Sequence, residues 1–182
     1  GRNNVVENNI FIESSGPQIQ YSGHDPKSEL VVSRLKEYAK IQTNHVYISR
    51  YPDMANTNLD TIWHMAENKT FRNIIYYRSP KSNLYGIHHV KEDPFRQNEI
   101  DSNLVWHCGL PLTVSLNGKT MPWDEWRKEG YDTHSVVADP LFADADRDDY
   151  RLKSGSPAFN LGFEPIPVKK IGPYKDDLRA SW

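Results

Sequence analysis

The sequence predicts an all-β fold of stacked parallel coils, and three observations predict it. Segments beginning at Asn4 (Asn-Val-Val-Glu-Asn-Asn-Ile-Phe-Ile-Glu), Thr70 (Thr-Phe-Arg-Asn-Ile-Ile-Tyr-Tyr-Arg) and Glu99 (Glu-Ile-Asp-Ser-Asn-Leu-Val-Trp-His) answer to one template. Each sets an asparagine, Asn9, Asn73 or Asn103, before a short strand. Those strands, Ile10 to Ile12, Ile74 to Tyr76 and Leu104 to Trp106, are apolar without alternation. Continuous apolar runs belong to strands covered on both faces, as in parallel sheets. Asparagine accepts a left-handed bend and can pass amide hydrogen bonds to a neighbouring coil, so one per coil suits a corner between strands.

The spacing of the asparagines orders the rest. Asn73 and Asn103 are 30 residues apart, one coil plus a loop, while Asn9 and Asn73 are 64 apart. The longer gap predicts an insertion at 27–68. Within it Leu30, Val31, Leu35, Tyr38 and Ala39 have helical spacing behind Asp25-Pro26, which predicts a helix over 27–40. A second short helix is expected from Pro122 to Lys128, with Trp123 and Trp126 on one face and Gly130 as its stop.

From Ala138 the chain reads Ala-Asp-Pro-Leu-Phe-Ala-Asp, an acidic turn, then Asp149-Tyr-Arg-Leu-Lys-Ser-Gly-Ser-Pro-Ala158. This stretch resembles the closing segment of right-handed parallel β-helix proteins of the pectate-lyase-like superfamily. Arg50-Tyr51-Pro52, Gly130 to Ser135, and Phe163 to Pro167 with Ile171 to Trp182 are similar to large secreted bacterial proteins related to glycoside hydrolase family 141. The resemblance implies one β-helix domain over 1–182, with 137–182 as closing coil and tail. It also implies secretion to the periplasm, the cell surface or beyond, and a polysaccharide or oligosaccharide partner. Coils upstream in the same protein would cover the strand edges of the first coil.

Composition narrows the partners. Lys+Arg 22 against Asp+Glu 24 provides no positive field for a nucleic-acid backbone or an anionic membrane, and no apolar run is long enough to span a bilayer. Trp 5, Tyr 10 and Phe 6 in a chain of mean hydropathy −0.73 suit sugar faces as well as core filling. Cys108 alone forms no internal disulfide and reads as a small buried hydrophobe.

Aligning the coils on their asparagines makes columns. Two residues before stand Glu7, Phe71 and Asp101, and four after stand Glu13, Tyr77 and His107. If the bend keeps parity, both columns face one groove. Glu7, Glu13 and Asp101 are then the candidate acid–base carboxylates of glycoside hydrolysis, with His107 to shuttle a proton. Tyr77, Trp106, Trp63, His88, His89 and Arg78 are the candidate substrate contacts. Against this stands the plainer reading of an ordinary solvent-facing surface.

No cofactor is called for. Asp144, Asp146, Asp148 and Asp149 alternate like a calcium loop, but the sixth-position glycine and distal glutamate of an EF-hand are missing, so the run reads as an acidic turn. Adjacent His88 and His89 do not suit one metal, and Asp132 with His134 reads as a structural pair. The leading expectation is a carbohydrate-active enzyme, a glycoside hydrolase. A lyase would need a base such as Arg72, Arg78 or Arg96, and the alternative from another class is a non-catalytic polysaccharide-binding or structural module.

Overall fold

The computed structural model describes residues 1–168 and Ile171. The chain enters as β1 (Val5–Glu7), β2 (Ile10–Ile12) and β3 (Ile19–Ser22). It leaves through α1 (Glu29–Gln42), α2 (His45–Arg50) and a 3-10 turn at Pro52–Asn56, then returns as β4 (Lys69–Phe71), β5 (Ile74–Tyr76) and β6 (Tyr85–His88). After α3 (Glu92–Phe95) come β7 (Glu99–Asp101), β8 (Leu104–Trp106), β9 (Thr113–Leu116) and β10 (Lys119–Pro122). The chain closes with α4 (Trp123–Lys128), β11 (Val136–Val137), β12 (Phe142–Asp144) and β13 (Asp149–Leu152).

These elements correct the expectation of an all-β, right-handed parallel β-helix. The architecture is mixed α/β, with three- and four-stranded sheets, β1-β4-β7, β10-β9-β6-β3 and β11-β8-β5-β2, and short helices between their strands. The gap read as an insertion with one helix holds two helices and a 3-10 turn. The stretch read as a closing coil turns back on itself: β12 and β13 pair antiparallel. A 3-10 turn at Ala145–Arg147 capped by left-handed Asp148 (φ 58°) reverses the chain there, too few residues for the crossover that a parallel pair needs. Gly172 to Trp182 of the tail likeness lie outside the described residues.

Register follows the asparagines. Ile10, Ile74 and Leu104 are parallel partners, as are Phe11, Ile75 and Val105. Asn9 donates its backbone N–H and Nδ2 to Asn73 Oδ1 at 3.0 and 3.1 Å, and Asn73 does the same to Asn103 Oδ1 at 3.1 and 3.0 Å. A second ladder runs beside it from Asn4 to Asn68 to Asn98. The left-handed residue is not the ladder asparagine but the one before it: Asn8, Arg72 and Ser102 all have φ between 54° and 57°. The bend is made by one residue and pinned by the amide of the next.

Burial explains the unbroken apolar runs. In β5 both Ile74 and Ile75 are 0% exposed, because they face two different clusters. Ile75 and Val105 join Tyr85, Ile87, Val114 and Trp126 in the core. Ile74 and Leu104 are covered from outside by Phe142, Ala158 and Phe163. Helix α4 forms where the tryptophan spacing predicts, with Trp126 stacked on Tyr131 at 4.1 Å and left-handed Gly130 (φ 96°) following it. Helix α1 starts two residues later than predicted, because the Ser28 hydroxyl rather than Asp25 caps it, accepting from the Val31 N–H. Of its apolar stripe only Val31 is buried, and Leu30 and Tyr38 are exposed.

Candidate functional site

Side chains alternate across β1, β4 and β7. Val6, Thr70 and Ile100 point inward, while Glu7, Phe71 and Asp101 are register partners on the half-buried outer row. The column predicted two residues before the asparagines is therefore a physical row, with Phe71 between two carboxylates. Two strand spacings of about 4.8 Å set the backbones of Glu7 and Asp101 roughly 10 Å apart. Beside them Lys69 Nζ meets Glu99 Oε2 at 2.8 Å.

Both carboxylates of the row are engaged. Glu7 is ion-paired to Arg72, whose guanidinium also lies 4.9 Å over the Phe71 ring. Asp101 accepts from the Ser102 and His134 backbone N–H groups at 2.7 Å each, faces His134 Nδ1 at 2.6 Å and accepts from Thr133 Oγ1 at 3.2 Å. Burial works to raise its pKa, but the hydrogen bonds from His134 and Ser102 outweigh it and hold the carboxyl below its ordinary value. His134 leaves most of its ring in solvent, its side chain 79% exposed against 21% for Asp101. Next to Asp101 opens a cavity of about 290 Å³ lined also by Glu99, Arg96, Glu129 and Tyr131, with Arg96 and Glu129 paired at 2.7 Å.

The second predicted column does not join the first. Tyr77 is fully buried and His107 nearly so, stacked on each other at 4.0 Å in the interior. His107 is held at both ring nitrogens, by Pro111 O at 2.9 Å and Ser79 O at 3.0 Å, and has no path to a substrate. The left-handed residue before the asparagine resets strand parity, so residues six apart face opposite ways. Glu13, itself left-handed (φ 51°), points out elsewhere, to Arg78 at 2.7 Å. Arg78 also binds Asp146 and lies 5.7 Å from the Tyr76 ring.

The remaining candidates are scattered. Trp106 is half-buried against the Phe142 cluster. Trp63 packs edge-on to His64 at 4.2 Å beneath Lys91, and the His64 pKa is lowered by burial, then by Lys91 and Arg2. His88 ends β6, while His89 lies just past it with φ 54°, both beside a shallow cavity. Cys108 is exposed, contrary to its reading as a buried hydrophobe.

Asp132 and His134 do not pair. Asp132 is buried against Trp126 and Ser135, and His134 turns to Asp101. Among the described residues no group of three or more His, Cys, Asp or Glu side chains is arranged to hold a metal. In the acidic run Asp146 binds Arg78, Asp148 accepts from Tyr150 and Asp149 is bidentate to Arg151. Asn68, which heads a glycosylation triplet, is buried in the second ladder.

Sequence reasoning missed Thr133 and gave His134 the wrong partner, Asp132 in place of Asp101. Extending the asparagine column to Ser135, whose hydroxyl takes the Asn103 backbone N–H at 2.8 Å, sets Thr133 in the column of Asp101. A scan against protein-family models finds no match to this chain, and searches of curated proteins and of solved structures find none at a significant level.

Proposed function

We propose that this chain is the glycan-binding part of an exported carbohydrate-active protein, gripping a polysaccharide or oligosaccharide across the outer face of β1-β4-β7. The observation that carries the reading is the row Glu7, Phe71, Asp101. It sets an apolar ring, suited to sugar C–H faces, between anionic acceptors for hydroxyls, with Arg72 and His134 as flanking donors. The motif likeness to glycan-acting proteins points the same way.

Binding is favoured over hydrolysis by the partners of the two carboxylates. A glycoside hydrolase needs one carboxyl protonated at working pH to protonate the leaving oxygen. Asp101 is held as an anion by its donors, and Glu7 is tied up in an ion pair with Arg72. Among the described residues a raised carboxyl pKa belongs to Asp132, which is fully buried.

The test is calorimetric binding of the full chain to a panel of plant and bacterial glycans, with reducing-sugar release assayed in parallel. Phe71→Ala and Asp101→Ala are expected to weaken binding at least tenfold while thermal melting confirms that both fold. Absence of binding to every glycan refutes the proposal, and sugar release abolished by Asp101→Asn would make the site catalytic instead.

A further inference from the structure

The two asparagine ladders have direction. Each amide accepts through Oδ1 from the layer before it and donates through N–H and Nδ2 to the layer after it. At the far end both ladders are closed. Asn103 gives its N–H to Ser135 and its Nδ2 to Thr70 O and Asp132. Asn98 gives its Nδ2 to Phe95 O and Met65 O.

At the near end they are open. Asn4 and Asn9 are exposed, and among the described residues nothing donates to the Oδ1 of either. The same end presents β1, β2 and β3, each the last strand of its sheet, so three sheet edges lie there with no further strand paired to them among the described residues. Val5 is 58% exposed there, with Val6 and Phe11 half-buried behind it.

We infer that this face is a docking surface for an extended polypeptide segment with two asparagines five residues apart, the second leading an apolar triplet, added parallel to β1 and β2. The chemistry follows from the acceptors: two amide oxygens at the spacing of Asn4 and Asn9 call for two backbone N–H and two amide donors at the same spacing. Inside the chain Asn4 with Asn9 and Asn68 with Asn73 have that spacing and make these donations, to Asn68 with Asn73 and to Asn98 with Asn103 respectively. A second copy does not satisfy the surface. Its closed end has no asparagine donor to give, and its open end would bring acceptors against acceptors.

The probe is a synthetic peptide with the sequence of residues 68–76, Asn-Lys-Thr-Phe-Arg-Asn-Ile-Ile-Tyr, titrated into the full chain and followed by amide hydrogen exchange. Binding with slowed exchange in β1 and β2 is expected. The peptide with both asparagines replaced by alanine keeps its backbone N–H groups but loses both side-chain donors, and should bind roughly tenfold more weakly or worse. No protection at millimolar peptide, equal affinity of the two peptides, or a sedimentation dimer that excludes the peptide would each overturn the inference.

Discussion

Asp132 offers a prediction whose sign is set by burial. The carboxylate is 0% exposed, and it takes hydrogen bonds from the Trp126 Nε1–H at 2.8 Å, the Ser135 hydroxyl, Asn103 Nδ2 at 3.4 Å and the Tyr85 hydroxyl at 3.4 Å. Desolvation raises its pKa and these donors lower it, leaving it at about 6 against an ordinary 3.8. Between those two values the folded chain keeps a proton that the unfolded chain releases. This group's contribution is therefore fully present below about pH 4 and lost as pH rises through 6. At about 1.4 kcal/mol per unit, the loss is about 3 kcal/mol.

Carboxylates such as Asp101 and Asp149, whose pKa values are depressed, act in the opposite sense, so the wild-type profile alone is ambiguous. The variant Asp132→Asn isolates the effect, since asparagine tolerates the left-handed backbone (φ 49°) and can still accept from Trp126. Urea unfolding of both proteins from pH 4 to 7.5 should show the variant gaining on the wild type by about 3 kcal/mol across that window. A difference that stays flat with pH would refute the assignment of a charged, desolvated Asp132.

Three further outcomes follow from buried polar atoms and close packing. The Tyr77 hydroxyl is buried without a partner, so Tyr77→Phe should raise stability by about 1 kcal/mol, read as an upward shift of the melting temperature. Asn73→Ala removes donors to Val6 O, Phe71 O and Asn103 Oδ1 and strands the Asn9 donors, so denaturant unfolding should show a loss of about 3 kcal/mol or more, well above that of Asn9→Ala at the exposed end. A Cβ on Gly23 would stand 2.1 Å from the His89 carbonyl oxygen, so Gly23→Ala should cost about 3 kcal/mol in the same assay.

Local pattern was legible where one residue decides the outcome. The apolar triplets, their alignment and the tryptophan helix follow from spacing alone, because parallel pairing carries residue for residue along the ladder. The fold class was not legible, since nothing in the Asp139-Pro140 motif distinguishes another parallel pass from an antiparallel return. That choice is made by Asp148 adopting φ 58°. The outer row of Glu7, Phe71 and Asp101 was legible for the same reason as the triplets. Its partners Arg72 and His134 were not, because ion pairs between layers depend on where side chains reach. Tyr77 and His107 were misplaced because parity was carried across a bend that breaks it.

That bend also separates the residues that set the fold from those free to do chemistry. The amide column of Asn9, Asn73 and Asn103 is fixed by hydrogen bonds on both sides of each interior member, and substitution there breaks several at once. The residue before each, Asn8, Arg72 or Ser102, needs only a left-handed backbone, and its side chain lies outside the ladder. Three different side chains occupy that position, and Arg72 uses it to reach Glu7 and to set its guanidinium 4.9 Å from the Phe71 ring. A left-handed non-glycine residue costs about 1–2 kcal/mol, a strain tolerated where the neighbouring amide pins the backbone. The outer face can therefore change its recognition chemistry one corner residue at a time without disturbing the register beneath it.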